Sequence, residues 1–275
     1  MSGGLILIDK PAGMSSAKVV SIVKHKLKVK KIGHLGTLDP FATGLLVCLT
    51  GRATKLAGIG LSGDKEYEGV FRFGVTTSTD DSTGEILRET RGEVSLSELK
   101  SIVSSKFLGE IKQIPPKVSA KHVGGERAYK LARQGIDFTL KPKTCRIYSF
   151  EILEAISPLT FSFRVSVSGG TYIRSLARDI GEILGLGGIL QTLRRTKVGA
   201  LSVAEAVNLD DVSESSILDW TKLVPSAPVF SVSKEVVREL SLGRPYEFDR
   251  GVPLGILRSD KAEGFVLNGT KVVLV

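Results

Sequence analysis

The chain has few of the side chains that build metal centres and disulfide frameworks: two cysteines and three histidines in 275 residues. Cys48 and Cys145 sit in apolar or strand-like surroundings with no ligand cluster around them, so neither a zinc site nor a disulfide scaffold is expected. Long apolar runs are also missing. The longest, Leu45–Leu49, falls far short of the roughly 18–20 residues that a membrane span needs. The N-terminus has no basic lead-in and reaches Asp9-Lys10-Pro11 after a few apolar residues, which predicts a first strand and not a secretion signal. The sequence contains no G-x-S-x-G, no phosphate-cradling P-loop and no G-x-G-x-x-G after a strand. The usual hardware of serine hydrolases, kinases and dinucleotide enzymes is therefore absent. A soluble, cytoplasmic protein without metal or organic cofactor is expected.

Acids are scarce in places. The first sixty residues hold only Asp9 and Asp39 against nine Lys/Arg, whereas residues 61–110 hold ten acids against six bases. Residues 111–200 reverse this again with fifteen bases against six acids, and residues 201–275 hold eleven acids against eight. Alternating blocks within a net charge of +9 suggest one basic face that attracts a polyanion such as nucleic acid. A solvated lysine-rich surface explains the charge equally well.

What is present reads as an α+β protein. Leu5–Ile8 is a strand closed by a turn, and Ser15 or Ser16 caps a helix with Val19, Ile22, Val23 and Leu27 on one face. Leu45–Leu49 is a buried strand, and Tyr67–Phe73 places Tyr67, Gly69, Phe71 and Phe73 on one side of another. Ser95 to Glu98 is a capping box opening a helix. Phe161, Phe163, Val165 and Val167 alternate with polar residues, a half-buried antiparallel strand, and Tyr172–Leu184 is a helix ended by Gly185. Beyond Pro225 and Pro228, Ser233 caps a short helix that Gly243 stops, and short strands close the chain. The division expected is a main domain over 1–228 and a small β-rich module over 229–275.

The segment Gly33 to Gly44, GHLGTLDPFATG, places Asp39 in a glycine-punctuated loop between the lysine-rich helix and the buried strand. A lone carboxylate among cations is expected to have a depressed pKa, suited to a nucleophile or electrostatic stabiliser. An Asp-Pro turn starter is the plainer alternative. His34 is either an ordinary loop histidine or a planar group that stacks on a base. One reaction that asks for little beyond a carboxylate and a basic face is glycosidic-bond chemistry on a nucleoside, where the carboxylate stabilises or traps an oxocarbenium-like ribose.

This segment closely resembles the GHTGTLDPLATG signature of the TruB-type tRNA pseudouridine-55 synthases, and other blocks of that family follow in order. They are Ile8-Asp-Lys-Pro-Ala-Gly13, Gly51-Arg-Ala-Thr-Lys55, Lys65-Glu-Tyr67, Gln113-Ile-Pro-Pro116 through Arg133, Gly170 to Gly181, and Leu193-Arg-Arg-Thr-Lys-Val-Gly199. The resemblance spans roughly residues 4–200. It implies the pseudouridine synthase fold, a mixed, mostly antiparallel central sheet flanked by helices, with a short PUA-like C-terminal module. It implies cofactor-free isomerisation of the T-loop uridine, with Asp39 as nucleophile and His34 filling the space of the flipped nucleotide. Tyr67 stacks on the uracil, Arg174 pairs with Asp39, and Tyr172 and Leu193 close the pocket, with Lys65 as a further substrate contact. A basic insertion at about 113–143, with Gly124–Gly125 as a hinge, is expected to grip the T arm of tRNA. Read without the resemblance, Tyr67 and Leu193 are core residues and Arg174 is a helix-surface arginine.

Two departures stand out. Leu35 replaces the usual threonine, which should be tolerated, and Val118 stands where an aromatic often follows Pro-Pro-x, which removes a stacking group. The absence of long basic extensions favours a monomeric, stand-alone enzyme with no obligatory protein partner and no membrane association. An RNA-binding or tRNA-folding protein with incidental catalysis is the alternative, and a base-excising glycosylase is a third reading that would share the carboxylate.

Overall fold

The computed structural model describes residues 3–119, 122–123, 125–128, 131, 134–242, 244, 254–260, 262–267 and 271–274. The strands run β1 (Leu5–Lys10), β2 (Ile32–His34), β3 (Thr43–Thr50), β4 (Lys65–Phe73), β5 (Val75–Thr77), β6 (Ile86–Glu89), β7 (Gly109–Gln113), β8 (His122–Val123) and β9 (Glu126–Arg127). They continue with β10 (Lys143–Ser157), β11 (Thr160–Val167), β12 (Gly188–Val198), β13 (Leu201–Ser202) and β14 (Val207–Asn208). The last four are β15 (Val229–Ser231), β16 (Leu254–Arg258), β17 (Ala262–Leu267) and β18 (Lys271–Leu274).

Among the described residues one ten-stranded sheet has the order β14-β1-β3-β12-β4-β11-β10-β7, with β2 on β3 and β13 on β12. Its pairs are antiparallel except β1 with β14 and β3 with β12, so the expected mixed, mostly antiparallel sheet is found. The parallel seam between β3 and β12 joins Thr43 and Gly44 to Arg194 and Arg195. Gly44 is required there. Its φ is +97°, and a Cβ would run into the Arg195 backbone, 2.7 Å from the nitrogen.

The two halves of the sheet are buried differently. In β1 and β3, Leu5, Leu7, Leu45 and Val47 enter one apolar cluster and Ile6, Ile8, Leu46 and Cys48 enter another, so both faces are covered. This is why Leu45–Leu49 reads as a continuous apolar run. Val19 and Val23 of the helix Ser16–Lys26 and Leu27, its C-cap, cover one of those faces. In β4 and β11 only one face is buried, where Phe71 stacks on Phe163 with centroids 3.9 Å apart. Leu176, Ala177 and Ile180 of the helix Ile173–Ile183 and Leu99 and Val103 of the helix Leu96–Lys106 cover that face. Ser95 caps the latter by accepting from Glu98 N at 3.1 Å.

The C-terminal strands form a separate four-stranded sheet, β15-β16-β17-β18. Its helix Lys234–Ser241 is capped by Ser233, and Ile256 joins the cluster around Trp220. Gly243, the expected stop, lies outside the described residues, as do Gly124 and residues 120, 121, 129, 130, 132 and 133 of the basic insertion. Both cysteines are buried and free, and burial pushes the Cys48 thiol up to about 12. No helix among the described residues is long and apolar enough to cross a membrane.

Candidate active site

The signature loop is pinned from below by backbone-directed hydrogen bonds. Ser15 caps the helix Ser16–Lys26, which leaves Ser16 free to turn inward. The Ser16 hydroxyl donates to Leu38 O at 3.0 Å and accepts from Leu38 N at 2.9 Å. Lys10 Nζ, buried at the end of β1, donates to Pro11 O at 2.8 Å, Met14 O at 2.7 Å and Pro40 O at 3.3 Å. Desolvation lowers the Lys10 pKa to about 8 against the favourable field of Asp39. Ala42 N donates to Asp39 O at 3.1 Å, so Asp39 does start a turn. The turn uses only the backbone of Asp39 and leaves its carboxylate free to face elsewhere.

That carboxylate meets Arg174 in a two-pronged ion pair. Nε lies 2.9 Å from Asp39 Oδ2, and Nη2 donates to Oδ1 at 3.0 Å. The same guanidinium donates from Nη1 to Thr79 O at 2.8 Å and from Nη2 to Val118 O at 3.1 Å. Nη1 also stands 3.4 Å from Asp81 Oδ2. Arg174, at the first turn of its helix and 5 % exposed, is therefore no surface arginine. Val118 contributes through its carbonyl, a contact indifferent to the side chain that replaced an aromatic.

The expected depression of the Asp39 pKa is not found. Burial raises it above the ordinary carboxylate value, Arg174 and Lys10 pull it back, and the buried Asp81 carboxylate pushes it further up. The sequence shows the cations around Asp39 but hides both its desolvation and the second acid, which comes from the turn between β5 and β6.

A cavity of about 580 Å³ opens over this pair, and six of the seven site residues named from the sequence line it: Asp39, Lys65, Tyr67, Tyr172, Arg174 and Leu193. Tyr67 and Leu193 also belong to the main apolar cluster, so they are core residues that line the cavity as well. The seventh, His34, lies at the end of β2 and lines an adjoining cavity of about 950 Å³ that shares Asp39, Leu38, Ser119 and Arg174 with the first. Burial lowers the His34 pKa, with the Arg195 charge adding to the shift. Leu35 is fully buried, and Gly60, which has no Cβ, leaves room for its side chain.

Four residues that hold the site were missed as such. Gln113 fixes the backbone of Tyr172 from both sides, accepting from its N–H at 2.8 Å and donating to its carbonyl at 3.0 Å. Asp81 and Lys10 are described above. Arg195 is fully buried on the cavity wall, and the alternation of β12 carries the signal: it shares a face with Leu193, whereas Arg194 points away to Asp9, with Nη2 2.7 Å from Oδ2.

Residues 24–173 match the model of the TruB family pseudouridylate synthase N-terminal domain, and residues 174–223 match the tRNA pseudouridylate synthase B C-terminal domain. The chain belongs to the TruB family of pseudouridylate synthases. It is thus an enzyme of uridine-to-pseudouridine isomerisation, in a family whose RNA class is tRNA. A protein of Aquifex aeolicus named tRNA pseudouridine synthase B is 43 % identical over 235 residues, 85 % of this chain and 81 % of its own length. A relative of the same name from Mycobacterium tuberculosis is 43 % identical over 218 residues, 78 % of this chain and 73 % of that one. Among solved structures, a chain of a Cbf5-Nop10-Gar1 complex superposes with a TM-score of 0.73 at 25 % identity, covering 99 % of this chain and 83 % of that one. A chain of an H/ACA RNP bound to a substrate RNA containing 2'-deoxyuridine gives a TM-score of 0.71, also at 25 % identity, covering 99 % of this chain and 84 % of that one.

Proposed function

We propose that this enzyme is a stand-alone, cytoplasmic, monomeric synthase that converts the T-loop uridine of tRNA, position 55, into pseudouridine. The observation that carries the reading is the two-pronged Arg174 grip, which presents the Asp39 carboxylate to a cavity walled by Tyr67, Tyr172 and Leu193. The target nucleotide leaves the stack, at a cost of a few kcal/mol, and enters this cavity. Its base lies against Tyr67. His34, in the adjoining cavity that opens on the same aspartate, fills the space left behind.

The N1–C1′ bond then breaks, its electron pair leaves with the uracil, and the Asp39 carboxylate captures C1′. Uracil turns within the pocket and C5 bonds to C1′ as Asp39 departs. C5 loses its proton and N1 gains one, so mass is conserved. Arg174 keeps the carboxylate ionised and oriented against the opposing effect of burial. The basic insertion at about 113–143 closes over the T arm, and the C-terminal sheet is a short PUA-like module.

The test uses tRNA carrying tritium at C5 of uridine. Wild-type enzyme should release about one tritium per tRNA from the T loop without freeing uracil, and Asp39→Asn should bind tRNA but release none. Binding without release by the wild type would make the protein an RNA binder or folding factor. Free uracil would make it a glycosylase.

A further inference from the structure

Among the described residues, two buried cations that line the cavity have no carboxylate partner. The Arg195 guanidinium is fully buried yet donates to backbone carbonyls, from Nε to Leu45 O at 2.7 Å and from Nη2 to Gly36 O at 3.0 Å. Lys65, 6 % exposed, donates from Nζ to Gly63 O at 2.6 Å and Leu61 O at 3.1 Å. Among the described residues neither is ion-paired. They converge on the signature loop: Arg195 Nη1 and Lys65 Cε each lie 3.4 Å from where a Cβ on Gly36 would stand. Across β4 and β12, Tyr67 pairs with Arg195 and Gly69 with Leu193, so Lys65 and Arg195 flank Tyr67 on the face that lines the cavity.

Burying a charge without a partner costs several kcal/mol. Two such charges beside one ring are accounted for if an anion occupies the cavity during the reaction. Two anions are available, a backbone phosphate and the departing base. A phosphate keeps part of its hydration while the strand is bound, so a solvent-exposed cation on the wall such as Lys143 would suit it better. Lys65 and Arg195 are shielded from solvent, 6 % and 0 % exposed, and line the cavity from the strand pair that carries Tyr67.

We propose that Lys65 and Arg195 are catalytic residues that stabilise the negative charge spreading over N1, O2 and O4 of uracil as the N1–C1′ bond breaks. The proposal rests on the reading that Asp39 captures C1′. The electron pair of the broken bond resides on the uracil ring, facing the two cations, until C5 uses a pair to bond C1′. Both cations keep their own protons throughout. Preorganised donors of this kind act strongly in a water-poor site, because they need not reorient when charge develops.

Lys65 makes the proposal testable by pH. Burial, Arg195 and Lys143 lower its pKa to about 8 while Asp64 raises it. Asp39, Tyr67, Tyr172 and Arg174 are the other ionisable groups on the cavity wall. Single-turnover rates on a tRNA transcript would be measured against pH for the wild type, Lys65→Met and Lys65→Arg, with the tRNA Kd and thermal melting of each.

The wild-type rate should fall as pH rises through about 8, where Lys65 loses its charge. Lys65→Met should be slower by about 10²-fold at neutral pH with Kd unchanged. Lys65→Arg should restore most of the rate and shift the alkaline fall upward. A Lys65→Met rate equal to wild type would overturn the proposal, as would a wild-type rate that climbs through the same pH range, the mark of a neutral lysine acting as base. Weakened tRNA binding with a shallower salt dependence would instead make Lys65 a phosphate contact. Asp39→Asn, run in parallel, tests the underlying reading separately, because retained activity there rejects Asp39 capture whatever Lys65 does.

Discussion

Arg174 and Arg195 stand in the wall of one cavity, 5 % and 0 % exposed, yet their charges are compensated in opposite ways. Arg174 sits between two carboxylates, Asp39 and Asp81, and two carbonyls. Among the described residues Arg195 has only the carbonyls of Leu45 and Gly36. The first arrangement fixes a group that must be held still before reaction. The second leaves positive potential unspent in the pocket, to be met when negative charge appears there. The difference shows that burial alone does not define the role of a charged residue; what matters is whether its counter-charge comes from the protein.

Removing each guanidinium should separate the two cases. Arg174→Met leaves the buried Asp81 and the partly exposed Asp39 without their cation, and urea denaturation should show a loss of about 3 kcal/mol together with loss of activity. Arg174→Lys should recover some stability but little activity, because an ammonium cannot hold both carboxylate oxygens in the plane of a guanidinium. Arg195→Met removes an unpaired charge along with its two hydrogen bonds. Its stability loss should be smaller, about 1–3 kcal/mol, while the single-turnover rate still drops. Equal stability losses for the two methionine variants would break the contrast.

Asp81→Asn sharpens it further. Since Asp81 raises the Asp39 pKa, its neutralisation should move the acid limb of the pH–rate profile downward, with the Arg174–Asp39 pair kept. The smallest effect concerns Lys10. Its pKa is about 8 in the folded chain against an ordinary 10.5, so the unfolded state binds more protons between these values. Stability conferred by this position should therefore rise with pH through that window, and Lys10→Met should flatten the difference in denaturation curves.

Much of this site was legible in the sequence because it is local. The loop Gly33 to Gly44 carries its turn residues and its aspartate in one run, and the alternation around Tyr67 and Phe163 gives both the strands and their buried faces. The space that Leu35 fills is left by Gly60 on a different element, which the order of residues does not show. Arg195 was half legible. Its place on the Leu193 face is a matter of period two, but a run of two arginines reads as basic surface until β12 is seen to pair on both sides.

The strands and helices, the one acid in the signature loop and the class of chemistry that its motifs resemble can all be read along the chain. These follow from short-range spacing, side-chain type and backbone preference, all of which lie along the chain. Only the tertiary structure decided the ionisation of Asp39. Burial raises its pKa, Arg174 from 135 positions away opposes that rise, and Asp81 from the turn between β5 and β6 adds to it. Electrostatic energy depends on distance in space and on the exclusion of water, and neither quantity is written in the order of residues.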